Sequence, residues 1–537
     1  MNVLLIKHPT THFVKTAPPV SGIPLGLLYV ASALKKAGHD VHVYDAIVGA
    51  DESTWGVHCN NGVYRMGASM DEIKKIIDEI NPDVVGIGNQ YSSQADNAIK
   101  TAEAVKEVKR GIKVVVGGSH ASVMPSTFLD ECNAVDYVVM REGEITMPEL
   151  LDSITGHRDI TTVKGIAFKK DGKLVVNEQR EFIKILDDLP LPAYELVDME
   201  RYFYFNEQGK DGRETYRYPG FERSVSMITS RGCPFNCVFC SIHLGMGRGF
   251  RAHSVDFVIK HIKYLKETYH IKHIHFEDDN FSFNMSRFND ILESMIANNL
   301  NLTWDTPNGM RADYLNEDVL KKCAMSGCTY LRIGVESANM EVSKKIIRKN
   351  LKIDKVIEVA KLCNESGIDL EAFYIIGFPG EKINQMKETI DFAIKQERLY
   401  GLYPYDMFTA TPLIGTDLYK ICQERNYIYR EISAQNLATA TQGEGMITTE
   451  DFTPEDLKRL LKNFRIRHLF ARSIFSLKFL LRHPQYFFIR FKNKFHIGHL
   501  IKSLAGFKLT TFIAYVFLYR YKNCIIRKVG MEKRRIL

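Results

Sequence analysis

In SRGCPFNCVFC, residues 230–240, three of the chain's ten cysteines fall within eight positions, spaced C-x-x-x-C-x-x-C at Cys233, Cys237 and Cys240. Thiols clustered on one loop in a reducing compartment are metal ligands or redox groups more often than disulfides. A structural zinc ion needs four ligands. No second cysteine or histidine pair at ligand spacing follows, and His243 is the one nearby candidate, so zinc is a strained reading. An iron–sulfur cube on three thiolates has one iron without a protein ligand, where a small molecule can coordinate. The remaining cysteines, Cys59, Cys132, Cys323, Cys328, Cys363, Cys422 and Cys524, are scattered and read as small buried hydrophobes.

The chain that must position this loop has 537 residues, 45% of them apolar, which is enough for two or three domains with cores of their own. Met1 runs straight into the strand-like VLLIKHP without the features of a secretory signal, so the expected location is cytoplasmic. Charge is unevenly spread. Residues 457–537 carry 20 Lys/Arg against the single acid Glu532, whereas the rest has 51 basic and 63 acidic residues.

Residues 1–155 alternate apolar, Val-rich strands (VLLIKHP, DVHVYDA, PDVVGIGNQ, IKVVVGGSH, DYVVMREGE) with helical patterns (PLGLLYVASALKKAGH, MDEIKKIIDEI, SQADNAIKTAEAVKEVKRG). Such strands imply a parallel sheet covered on both faces: an α/β, Rossmann-like doubly wound domain that binds ligands at its carboxyl ends. Residues 156–222 read as a hairpin around the turn signal DG, then the extended linker LDDLPLPAYELV. From 223 to 430, VSMITS, HIHFEDD, LTWDTPNG, YLRIGVES, IDLEAFYIIGFPGE and YPYDMFTATP are strands ending in polar or small residues, as in a partial (β/α)6 TIM-like barrel. Residues 431–537 form a basic helical extension. Within it LTTFIAYVFLY, Leu509 to Tyr519, is eleven uncharged residues, too short to span a bilayer.

The loop and its strands resemble the radical SAM superfamily, whose hallmark is C-x-x-x-C-x-x-C after the first barrel strand with an aromatic before the last cysteine, here Cys233, Cys237, Phe239 and Cys240. The resemblance implies a [4Fe–4S] cluster whose open iron chelates S-adenosylmethionine (SAM) through its amino and carboxylate groups, and reductive cleavage of SAM to a 5′-deoxyadenosyl radical. It places Asp278 and Asp279 of FEDDNF near the SAM amino group, although the usual Gly-Gly-Glu form is absent. It places Glu336 or Ser337 of GVES on the ribose hydroxyls and Gly377 of IIGFPGE at the adenine. Thr411 of TP would close the sixth strand, and Arg311 of NGMRAD would clamp the SAM carboxylate as a bidentate donor.

IPLGLLYVASALKKAGHDVHVYD, VVVGGSHAS, VVMREGE and the linker are similar to the cobalamin-binding domain fused ahead of one large radical SAM subclass. The implied corrin contacts are Gly26, Ser92, Gly117, Gly118, Ser119, His120, Glu142 and Gly143, with Gly117 and Gly118 letting the backbone approach the corrin closely. The D-x-H-x-x-G pattern that supplies an axial histidine is absent from KHPTTHFVKTAPPVSG. His8 or His12 would have to ligate cobalt without the acidic partner that orients an imidazole.

The expected function is a cobalamin-dependent radical SAM enzyme that methylates an unactivated carbon of a small or lipid-like molecule. It would be supplied with electrons by a flavodoxin or ferredoxin. The alternatives are a cyclase or oxidative rearrangement enzyme acting on a tetrapyrrole or lipid, and a corrin or redox sensor that makes no 5′-deoxyadenosine. A tRNA methylthiotransferase expects three further cluster cysteines in the front domain, where only Cys59 and Cys132 occur. The basic tail suits a helical cap or a peripheral contact with anionic lipid on the inner membrane face. Nucleic acid is disfavoured, since no recognition motif accompanies the charge.

Overall fold

Residues Val3 and Leu5 of the first strand face one core and Leu4 and Ile6 face another, which is the pattern of a strand buried on both sides. The computed structural model describes residues 1–12, 22–50, 57–59, 63–207, 221–440 and 443–482, with backbone alone for 57–59, 63, 405, 406 and 476–482. The segment Leu509 to Tyr519, Cys524 and part of the loop after His12 lie outside the described residues, as does the side chain of Cys59. The chain divides into two units: residues 1–280 with 412–420 and 430–442, and residues 281–411 with 421–429 and 443 onward.

The first unit holds β1 (Asn2–Lys7), β2 (Asp40–Asp45), β3 (Val84–Gly88), β4 (Lys113–Gly117), β5 (Tyr137–Val139), β6 (Ile166–Lys170) and β7 (Lys173–Val176). They form one seven-stranded sheet in the order β7-β6-β5-β4-β3-β1-β2. Strands β1 to β5 are parallel. The hairpin β6–β7 turns at Asp171-Gly172, both at positive φ, and joins β5 antiparallel, so it is the sheet's edge and not part of a free connector. Helices α1 (Leu25–Lys36), α2 (Met70–Ile80), α3 (Ala95–Val108) and α4 (Ser119–Val123) cross over between parallel strands, and α5 (Gly143–Ile154) leads from β5 to the antiparallel hairpin. Helix α2 starts on a capping box between Ser69 and Glu72. The strand order reverses between β1 and β3, and the crevice at their carboxyl ends is where ligands bind in such sheets.

The second α/β block begins in this unit, where β8 (Ser224–Met227) pairs parallel with β9 (His273–Phe276). Between them come the cysteine loop, α6 (Ile242–Gly245) and α7 (Val255–Tyr269). The second unit contributes β10 (Thr303–Met310), β11 (Cys328–Glu336), β12 (Asp369–Ile376) and β13 (Tyr403–Thr409), parallel in sequence order. Helices α8 (Met285–Ala297), α9 (Glu317–Met325), α10 (Ile353–Ser366) and α11 (Ile383–Tyr400) connect them. Trp304 of β10 is fully buried, edge-on to Phe281 and Phe288 at 6.3 and 6.5 Å between ring centres. Helix α12 (Pro454–Arg482) packs on α11. The fold is α/β as expected: a Rossmann-like doubly wound sheet, β/α units of a TIM-like barrel, and a helical C-terminal region.

Candidate active site around the cysteine loop

The loop that carries Cys233, Cys237 and Cys240 leaves a two-residue strand, Ser230–Arg231, paired antiparallel with Arg251–Ala252. Gly232, at φ +85°, is the hinge. A Cβ there would overlap the Gly249 carbonyl and lie 2.9 Å from that of Met246, so only glycine fits. Cys233 N donates to Gly247 O at 3.3 Å and Cys240 N to Cys237 O at 3.1 Å. All three cysteines are half-buried and none is in a disulfide. Burial pushes the Cys240 thiol up to about 11, and the neighbouring Cys237 and Cys233 add to the effect. Thiols held this way shed their protons readily only to a cationic centre, so the donor set fits a metal cluster. Phe239 is half-buried within the loop, and Cys132, Cys323, Cys328, Cys363 and Cys422 are buried, as small hydrophobes would be.

The two acids after β9 differ. Asp278 is buried, and it accepts from Thr229 N at 3.0 Å, from Thr229 Oγ1 at 2.7 Å and from Ser230 Oγ. Both of its oxygens are thus used in tying β9 to the segment entering the loop. Asp279 accepts from Gly232 N at 2.9 Å. Burial raises its carboxyl to about 6 against the pull of that N–H, so it would gain from a nearby ammonium group.

Beside the hinge, Arg231 is buried with its guanidinium divided between Glu142 Oε1 at 2.9 Å and Glu144 Oε1 at 2.6 Å, and stacked over Tyr29. Arg251 reaches the same Glu142 oxygen at 2.7 Å and the carbonyls of Ile183 and Met246. The other Glu142 oxygen accepts from Ile183 N at 2.7 Å, so this carboxylate, expected at the corrin, is fully engaged within the chain. Glu142 and Glu144 bracket Gly143, the first residue of α5, a helix that contains Pro148. Helix α6, just past Cys240, packs on α4, with a Cβ at Gly245 lying 3.6 Å from Ser119 Oγ. The cysteine loop therefore adjoins the carboxyl ends of the front sheet.

At those ends, Gly118 has φ +112°, and a Cβ would overlap the Asn89 carbonyl. Its glycine is required by strand packing and not only by an approaching ligand. Gly117 meets only ordinary contacts, and Gly26 faces open space. Ser92 Oγ bonds His120 Nδ1 at 2.9 Å. His8 is buried at the switch point; its Nδ1 donates to Pro9 O at 2.7 Å and its Nε2 accepts from Asn89 Nδ2 at 3.3 Å, so both ring nitrogens are occupied. His12 Nε2 bonds Thr10 Oγ1 at 3.1 Å. Asn89 Oδ1 is a buried acceptor with no partner among the described residues. The amide-rich rim of a corrin would satisfy it, and small residues keep this end clear, so the face fits the group.

The second unit gathers Arg311, Glu336 and Lys349. Arg311 donates to Asp313 Oδ2 at 2.5 Å and to Lys349 O at 3.0 Å, and Lys349 Nζ meets Glu336 Oε1 at 2.8 Å. Glu336 has φ +61°, and the pair fills the space a Cβ on Gly334 would need. Ser337 is fully buried and bonds Thr389 Oγ1 at 3.1 Å. Thr411 Oγ1 donates to Thr409 O. Gly377 N and Phe378 N both donate to Glu381 Oε2, at 2.7 and 3.1 Å, while Glu381 Oε1 has no partner among the described residues. Burial raises that carboxyl to about 7. The sequence reading missed Arg231, Glu144, Asn89, Lys349 and Glu381. Arg231, Glu144, Asn89 and Glu381 stood inside the quoted segments, which do not say what each would pair with, and Lys349 carried no signal.

Compared with known proteins, residues 12–151 match the B12 binding domain and residues 227–393 the radical SAM superfamily. The uncharacterized methyltransferase PH0819 of Pyrococcus horikoshii is 32% identical, covering 86% of this chain and 91% of that protein. Cytidylyl-2-hydroxyethylphosphonate methyltransferase of Streptomyces wedmorensis is 28% identical, over 83% of this chain and 85% of its own. The anaerobic magnesium-protoporphyrin IX monomethyl ester cyclase of Synechocystis is 26% identical, over 80% and 78%. Among solved structures, the radical S-adenosylmethionine methyltransferase TsrM of Kitasatospora setae shares the fold, with a TM-score of 0.63 at 16% identity over 86% of this chain and 89% of that one. With the cysteine loop, the corrin-type sheet and a relative of this extent, the chain belongs to the radical SAM superfamily, in the subclass that carries an N-terminal cobalamin-binding domain.

Proposed function

We propose that the protein transfers a methyl group from cobalamin to an unactivated carbon of a small, largely apolar or lipid-like molecule, using two molecules of SAM per turnover. The observation that carries this reading is the packing of α6, just past the cysteines, on α4 at the carboxyl ends of the front sheet. When bound, the cluster with SAM supplies a hydrogen-abstracting carbon radical and the corrin supplies the methyl group.

The chain's own residues bind and orient. Cys233, Cys237 and Cys240 hold the cluster, and Asp279 accepts from the SAM amino group. Arg311, Glu336 and Lys349 hold the carboxylate and ribose end, and the peptide fixed by Glu381 at Gly377 lies against the adenine. Asn89 and Gly117 to Ser119 receive the corrin. An external flavodoxin or ferredoxin donates the electron.

Anaerobic reconstitution with iron, sulfide and hydroxocobalamin, followed by assay of 5′-deoxyadenosine, S-adenosylhomocysteine and methylated product, tests the reading. One SAM consumed without methylation would favour the second reading, an oxidative cyclisation, which the cyclase relative supports. Among the described residues no helix is long and apolar enough to cross a membrane. Helix α12 does expose Ile466, Phe470 and Ile474 on successive turns behind the exposed cations Arg459 and Lys462, which suits a peripheral contact with anionic lipid. Flotation with anionic but not neutral vesicles would reveal it.

A further inference from the structure

Beside the hinge, four ionic side chains are engaged with one another and with the backbone. Arg231 lies two residues before Cys233, and Arg251 grips both Glu142 and the Met246 carbonyl against which the hinge Gly232 is packed. Their partners, Glu142 and Glu144, stand on either side of Gly143, where the chain leaves β5 at the expected corrin face and enters α5. All four side chains are buried or nearly so, with 7% exposure for Arg231, 11% for Arg251, 5% for Glu142 and 6% for Glu144. Separating such charges leaves each one uncompensated away from water, so the first turn of α5 and the entry to the cysteine loop are constrained to move as one body.

We propose that this clasp couples the two cofactor sites: a corrin seated at the front sheet steadies the cysteine loop, and a filled loop steadies the corrin face to the same degree. This rests on the reading that cobalamin binds at that face. Arg231 and Glu144 are then positioning residues, touching neither cofactor, and the coupling they transmit is reciprocal because it is an equilibrium quantity.

The test uses the full-length, metal-free chain under anaerobic conditions. Alkylation of Cys233, Cys237 and Cys240 by iodoacetamide is followed by mass spectrometry with and without saturating hydroxocobalamin, whose binding is read from its absorption spectrum. In the unsubstituted protein, corrin should slow alkylation about fivefold or more, within the usual range of coupling. Arg231→Lys and Glu144→Gln should still take up corrin while the slowing falls below about twofold.

A reciprocal measurement needs no variant: loading iron and sulfide should tighten corrin binding by the factor by which corrin tightens iron retention. Equal slowing in the variants would mean that corrin merely covers the thiols, and the proposal falls. It falls equally if corrin binds but neither slows alkylation nor responds to iron. If the unsubstituted chain takes up no corrin at all, the cobalamin reading itself is wrong and the coupling goes with it.

Discussion

Replacing Asp278 by Asn separates a brace from a ligand. Two hydroxyls converge on Oδ1 and one backbone N–H on Oδ2. Asparagine can keep its oxygen toward the hydroxyls, but its NH2 then opposes Thr229 N–H, and a charge-assisted bond is lost while a buried donor goes unsatisfied. The expected cost is about 3 kcal/mol. With a urea slope of about 1–3 kcal/mol per molar, the unfolding midpoint should drop by about 1–3 M. The assay is urea unfolding of the metal-free protein, followed by circular dichroism, with no SAM present. Asp279→Asn is the contrast: its carboxyl is pushed up to about 6, so the fold disfavours its charge at neutral pH, and neutralising it should leave the midpoint unchanged or higher. SAM affinity of the reconstituted enzyme should fall in Asp279→Asn. The reasoning is refuted if Asp278→Asn leaves the metal-free midpoint untouched and loses only SAM binding, because Asp278 would then be a ligand.

Gly118→Ala forces a side chain into φ +112° and onto the Asn89 carbonyl. Strain of about 1–3 kcal/mol should lower the first thermal transition of the metal-free chain by several degrees, and an unchanged transition would contradict the packing described. Glu381 keeps its proton to about pH 7 in the folded chain against an ordinary 4.5, so the folded state binds the extra proton between those values and stability should fall as pH rises from about 5 to 7. Glu381→Gln should flatten that slope in urea titrations across the same range. Alanine at Cys233, Cys237 or Cys240 should abolish iron retention and 5′-deoxyadenosine while leaving the corrin absorption band in place.

Local chemistry made much of the fold legible. The apolar period of MDEIKKIIDEI announces α2, Asp171-Gly172 announces the hairpin, and the apolar runs of β1, β3 and β4 announce a sheet buried on both faces. The cysteine spacing pointed to the metal loop for the same reason: ligand, spacing and hinge glycine all lie within a few residues. What stayed hidden was long-range. Arg231 meets Glu144 across 87 residues, and nothing in REGE or SRGC says which charges pair. The hairpin's attachment to β5 is a matter of pairing, which its own residues do not specify. Asp278 and Asp279 looked equivalent, yet neighbours at a strand end point to opposite sides, so one turns inward as a brace and the other stays near the loop. Ser337 turns to Thr389 for a similar reason.

Pro148 has a consequence for how this architecture can change. Lacking an N–H, it cannot close the backbone bond to the Glu144 carbonyl four residues earlier, so the opening turn of α5 lacks one rung of its peptide ladder and the ion pairs of Glu142 and Glu144 help to hold it. Among descendants of such a chain, that turn and the metal loop would therefore change together or not at all, because a shift of either alone strands a buried charge.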